Sequence, residues 1–194
     1  IEAVRGTKKL ELELGAIGAG MLPTADIIEK QQTIEHLIGL IKYRSASERD
    51  ELAAIITNEA DARLPDNLMM CDDQVRELHE GGMEIGAHTV DHPILRLCDD
   101  AAAQRQITSS RDYLEKLIGE RVALFAYPNG KPGTDYLPEQ ARLVERLGFR
   151  AAVSTAPGAS SAGDDLFQLR RFTPWDRNRL KFAARLAINL ARRD

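Results

Sequence analysis

Of the four histidines in the 194-residue chain, His88 and His92 stand four positions apart in the run Gly86-Ala87-His88-Thr89-Val90-Asp91-His92-Pro93. Two imidazoles at that spacing can chelate one metal ion through their ring nitrogens. An imidazole must be neutral to donate its lone pair, and an ordinary histidine pKa of about 6.5 permits that at neutral pH. Pro93 disfavours helical geometry at His92, so the pair is expected on a loop with one tight turn. Taken alone, the spacing more often marks two structural histidines. What favours a ligand pair is the setting, between Gly-Ala and Pro at an expected strand end.

A second polar cluster follows in Phe125-Ala126-Tyr127-Pro128-Asn129-Gly130-Lys131-Pro132-Gly133. An apolar run that ends in so many turn formers is a shaped loop, and such loops often carry function. Backbone N–H groups there can stabilise an oxyanion of the kind that amide hydrolysis generates. The plainer reading is a tight strand-to-helix connection with no ligand.

Alternating strands and helices must position these clusters. Asp72 to Glu80 reads as a short helix ended by Gly81 and Gly82, and Met83 to Ala87 as a buried strand. Asp100 to Ile118 is a longer helix with Ile107, Leu114, Leu117 and Ile118 facing inward, stopped by Gly119. Val122 to Tyr127, Phe149 to Ser154 and Phe167 to Phe172 read as further strands, with a helix at Glu139 to Leu147. Helices between strands imply parallel pairing, hence an α/β fold, either an open sheet or a barrel. In both, ligands gather at the C-terminal ends of the strands, where the two clusters fall. Upstream, Ile27, Ile34, Leu37, Ile38 and Ile41 recur at helical spacing, and a second helix is expected from Ser47 through Leu52, Ile55 and Ile56.

Composition narrows the class. With 26 Lys plus Arg against 30 Asp plus Glu, the net charge is -4, which does not suggest a nucleic-acid partner. No stretch is apolar and long enough to span a membrane, and no targeting signal is visible, so cytoplasm and cell envelope both stay open. Cys71 and Cys98 form neither a disulfide framework nor a zinc spacing. One domain is expected over residues 1–194, with a helical insertion at 26–62, a core at 70–175 and a C-terminal helix at 177–194. The insertion offers a surface for oligomerisation.

Taken together, Met83 to His92 and Phe125 to Gly130 resemble two motifs of the polysaccharide deacetylase family, whose catalytic unit is the NodB homology domain. The first is similar to the family's H-[ST]-x-x-H metal motif. The resemblance implies that His88 and His92 bind a divalent metal, commonly zinc, and that the chain acts on bacterial carbohydrate. The second is similar to an Arg-x-Pro-Tyr-type motif that walls the substrate groove. It implies Tyr127 and Pro128 at the groove and the backbone N–H of Asn129 as oxyanion donor. Ala151 to Thr155 and Leu169 to Phe172 resemble later strands of the same domain. The implied fold is an irregular (β/α) barrel of fewer than eight strands, and the implied reaction is removal of an N-acetyl group from a polysaccharide or oligosaccharide.

The sequence departs from that family at several points. A Thr-Phe-Asp-Asp stretch, which would supply the general base and the third metal ligand, is absent. Asp72-Asp73, Asp99-Asp100 and Asp164-Asp165 follow no strand and read as helix starts or loops. The chain is therefore expected to begin downstream of that motif, to lack part of its barrel and, alone, to be inactive. Asp91 is the first suspect for a third ligand within the chain. Ala126 stands where many relatives have Arg, and no histidine follows His92 to act as late general acid; Asp176 is a guess for that role. Trp175 can stack on a sugar ring or pack against the fold, and Lys131 can meet an anionic sugar or solvent. His36 and His79 read as ordinary helix residues. Two other classes remain: a non-catalytic carbohydrate-binding or scaffold module on the same fold, and a helical interaction protein.

Overall fold

The computed structural model describes residues 1–172 and 176–191, and the chain divides into two compact units, Ile1–Met70 and Cys71–Asp194. The segment expected as an insertion thus belongs to a unit with its own core.

In the first unit, α1 (Glu2–Gly6) precedes a hairpin of β1 (Glu11–Leu14) and β2 (Gly20–Pro23), paired antiparallel with Leu12 opposite Leu22. β1 alternates strictly, with Leu12 and Leu14 buried and Glu11 and Glu13 exposed. Two helices follow, α2 (Ile27–Ile41) and α3 (Ala46–Ala60). The Asp26 carboxylate caps α2 by accepting from the N–H groups of Ile28 and Glu29, both at 2.8 Å. Ser45 and Glu48 form a capping box at α3, so this helix starts just before the expected Ser47. Val4, Leu12, Leu14, Leu37 and Ile56 make the core.

The second unit is the α/β part. Its elements are α4 (Asp72–Glu80), β3 (Gly86–Ala87), α5 (Asp100–Ile118), β4 (Leu124–Ala126), α6 (Pro138–Arg146), β5 (Ala151–Val153) and α7 (Arg179–Ala191). The strands pair parallel in the order β3-β4-β5, with Ala87 opposite Phe125 and Phe125 opposite Ala152. Asp99 caps α5 by accepting from Ala102 N–H, and Gly119, at φ +73°, ends it in the left-handed conformation.

Each strand is shorter than its sequence run suggests, for identifiable reasons. Met83 spends its N–H on Leu78 carbonyl at the end of α4, so β3 begins only at Gly86. The expected strand at Phe167 to Phe172 is a single parallel bridge between Leu169 and Val153. There the Asp165 side chain bonds Phe167 N–H and the Gln168 amide, and this local turn competes with a ladder. Among the described residues the sheet is therefore open, and the expected barrel is not closed.

Ile107, Val122, Phe125, Val144 and Ala152 fill the space between sheet and helices. Tyr127 and Tyr136 belong to the same core, stacked with ring centroids 3.8 Å apart and an 8° interplanar angle. The Tyr127 hydroxyl donates to Phe167 carbonyl at 2.8 Å. Burial pushes the Tyr136 hydroxyl up to about 12, and burial, with Tyr136 and Asp165 nearby, raises Tyr127 further.

Two outcomes follow from this packing. Ile107→Ala removes a fully buried side chain, and urea unfolding is expected to show a loss of about 2–5 kcal/mol; a loss well below 1 kcal/mol would place Ile107 outside the core. Because both tyrosine pKa values are raised on folding, their contribution is present below the unfolded value of about 10 and is lost as pH rises. Urea midpoints measured against pH are expected to fall above pH 10 and on through about 12, less steeply in Tyr136→Phe.

Candidate functional site

His88 follows β3 directly, and the parallel register that sets Ala87 opposite Phe125 brings it level with Ala126 at the end of β4. Its Nδ1 lies 2.7 Å from the Ala126 carbonyl oxygen. A carbonyl only accepts, so Nδ1 carries the proton and a neutral ring presents its lone pair at Nε2. Carbonyl-oriented imidazoles of this kind are the usual arrangement around bound metals. The His92 ring stands edge-on to His88, centroids 4.9 Å apart at 73°. Both histidines are exposed.

The loop carrying them is held in an unusual conformation. Thr89 has φ +66° and His92 φ +51°, although neither is glycine. Such residues cost of the order of 1–3 kcal/mol each and persist only where the surroundings impose them. Thr89 is buried, and its hydroxyl has no hydrogen-bond partner among the described residues. Helix α5 supplies the restraint. The Ser110 hydroxyl accepts from His88 N–H at 3.3 Å, and the Gln106 side-chain amide oxygen accepts from Val90 and Asp91 N–H, each at 3.0 Å.

The second loop leaves β4 at Tyr127. Asn129 has φ +57° and Gly130 φ +74°. At Gly130 a Cβ would lie 3.0 Å from Tyr127 carbonyl and 3.1 Å from Thr155 N, so the turn requires glycine. Thr155 ties the turn to the end of β5: its hydroxyl donates to Asn129 carbonyl at 2.9 Å and its N–H to Gly130 carbonyl at 2.8 Å. No hydrogen bond from Asn129 N–H is found among the described residues. Arg96 links the two loops, donating from Nη1 to Gly133 carbonyl at 2.7 Å and from its backbone to Asp135 carbonyl at 3.0 Å.

The structure thus gathers His88, His92 and the Asn129 backbone at the C-terminal ends of parallel strands. Other expected site residues fall elsewhere. Tyr127 is 2% exposed and Pro128 is fully buried, so their side chains pack the core instead of walling a groove; the expectation of substrate contact at either side chain is corrected. The Asp176 carboxylate is paired with Arg185 of α7, Nε to Oδ2 at 2.6 Å, which gives it a structural partner in place of an acid's free position. Trp175 lies outside the described residues. Asp91 receives the Gln106 amide, and among the described residues no group of three His, Cys, Asp or Glu is placed to hold a metal. The two imidazoles therefore fit two positions of a zinc site, which calls for three protein ligands. The paired carboxylates have local tasks: Asp99 caps α5, Asp72 and Asp73 open α4, and Asp164 and Asp165 bond their own loop.

Sequence reading passed over Ala126 carbonyl, Gln106 and Ser110. The last two left a trace, as polar residues beside the apolar stripe of Ala103 and Ile107 on α5.

Comparison with known proteins identifies the family. The polysaccharide deacetylase family model matches residues 52–152, a window that holds both histidines, Asn129, β3 and β4, and ends within β5. YxkH of Bacillus subtilis (strain 168), provisionally named a polysaccharide deacetylase, is 26% identical over 102 residues, 53% of this chain and 35% of its own. Among solved structures, the Streptococcus pyogenes deacetylase PplD in complex with acetate is similar with a TM-score of 0.51 and 26% identity, over 63% of this chain and 57% of that one. The chain thus spans about a third of the length of YxkH and little more than half of PplD. With its histidine loop and its Asn129 turn both inside the matched half, this chain belongs to the polysaccharide deacetylase family.

Proposed function

We propose that this chain contributes to a metal-dependent hydrolase that removes N-acetyl groups from a bacterial polysaccharide or oligosaccharide. The observation that carries the reading is the His88–His92 pair, with His88 Nδ1 committed to the Ala126 carbonyl and its Nε2 left to face a ligand. The acetate bound by the related PplD is the product such a reaction would release.

His88 and His92 would hold a divalent ion, zinc by the chemistry of two imidazoles. A bound ion there supplies polarisation of the acetyl carbonyl and a lowered pKa for water. The chain's own part is to present the ligands and to stabilise charge. As the acetyl carbon becomes tetrahedral, its oxygen gains negative charge, and the Asn129 N–H is a preorganised donor for it. Positioning that N–H costs nothing during the reaction, because the Gly130 turn and the Thr155 bonds fix the backbone beforehand. A third ligand and a general base complete the reading; among the described residues no third His, Cys, Asp or Glu stands with the pair. In the same reading the three parallel strands form one arc of an incomplete (β/α) barrel.

Zinc titration followed by imidazole proton NMR tests the site. Signals of His88 and His92 are expected to shift together while those of His36 and His79 stay in place, and His88→Ala is expected to weaken binding about 10-fold or more. Equal responses at all four histidines would sink the assignment and favour a carbohydrate-binding module without metal. Acetate release from N-acetylglucosamine oligomers by this chain alone would show that the third ligand and base lie within it after all.

A further inference from the structure

The histidine loop has little apolar packing at its tip. Val90 is 59% exposed and Asp91 is exposed, yet they lie between Thr89 and His92, both in the left-handed region. Something other than apolar burial must hold four consecutive residues in this shape. The contact at the tip is Gln106, half-buried on α5. Its Oε1 uses both lone pairs, on Val90 N–H and Asp91 N–H at 3.0 Å each, and its Nε2 donates to Asp91 Oδ2. The orientation of the amide is fixed by its partners, since only oxygen can accept two N–H groups and only the NH2 can donate to a carboxylate. One turn along α5, Ser110 takes His88 N–H, so the two side chains grip the loop at its start and at its tip.

We infer that Gln106, assisted by Ser110, is a positioning residue for the His88–His92 pair. It touches neither imidazole in any bond described above and works through the backbone. Its three hydrogen bonds offset the cost of the left-handed residues and keep His92 turned toward His88. Neither asparagine, which is too short, nor an apolar residue can do the same. The inference deepens the proposed function and rests on its reading of the histidines as ligands.

The test compares Gln106→Met, which keeps the length and removes all three bonds, with Ile107→Val, which trims the neighbouring core residue but leaves the loop's partners intact. Gln106→Ala is the second variant should the methionine repack. In the metal-free chain, hydrogen exchange at the Val90 and Asp91 amides is expected to speed up about 3- to 10-fold in Gln106→Met and not in Ile107→Val. The zinc dissociation constant, read from the His88 and His92 imidazole shifts, is expected to rise about 10- to 100-fold in the same variant. A Gln106→Met chain that binds zinc as the Ile107→Val chain does overturns the inference, whatever its stability, and leaves the proposed function standing. A wild-type chain with no histidine response overturns the ligand reading and the metal role of the clamp with it. Unaccelerated exchange at both amides overturns the clamp itself.

Discussion

The hydrogen bond between His88 Nδ1 and the Ala126 carbonyl is the constraint on which the site depends, and it is a consequence of strand register. Parallel pairing puts Ala87 against Phe125, so the next residue on each strand emerges at the same rim. In a strand, a slip of one residue exchanges the two faces. A slip here would carry His88 past Ala126 and turn Phe125 out of the core. The buried aromatic residues that fix the register thereby fix the tautomer of an exposed imidazole. Phe125 lies edge-on to Tyr127 at 5.2 Å and tilted against Phe149 at 5.5 Å, so several side chains resist the slip at once.

Around that bond the molecule concentrates its backbone strain. Among the described residues four non-glycine residues have positive φ, and three of them, Thr89, His92 and Asn129, lie in the two rim loops. The fourth, Asp61, ends α3, where left-handed geometry is ordinary. Strain so localised is held by polar ties from rigid elements: Gln106 and Ser110 of α5 on one loop, Thr155 beyond β5 on the other, Arg96 between them. The ties are individually worth about 1 kcal/mol, comparable to the cost of each strained residue. Shape at the rim is therefore a balance of local terms resting on a core that contributes most of the stability.

Much of this was legible in the sequence. The bounds of α4 and α5 follow from their first-turn acids, caps and glycine stops, and the two loops follow from their turn formers. Strand existence was readable and strand length was not, because Met83 and Phe167 give their N–H groups to local turns that compete with the ladder. The hairpin of β1 and β2 shows only in the alternation of Glu11-Leu12-Glu13-Leu14, and four residues carry little periodic signal beside the helices that follow. Tyr127 and Pro128 misled for a different reason. A tyrosine in a polar loop reads as a handle for ligand, but a partner for its hydroxyl at Phe167 carbonyl, forty residues on, makes burial affordable. No local pattern announces such a partner.

The same distinction between side chain and backbone applies at position 126. An alanine where the resembled motif has arginine reads as a lost functional group. In this chain the carbonyl of position 126, which any residue supplies, orients His88, and the group proposed as oxyanion donor at Asn129 is likewise a backbone N–H. What the two motifs must preserve is a register, a glycine at 130 and the left-handed turns, and all three are present. Two of the contributions in the proposed reading of this rim thus fall to main-chain atoms. Side-chain identity is demanding at the proposed ligands His88 and His92, and where Gln106 and Ser110 hold their loop in place.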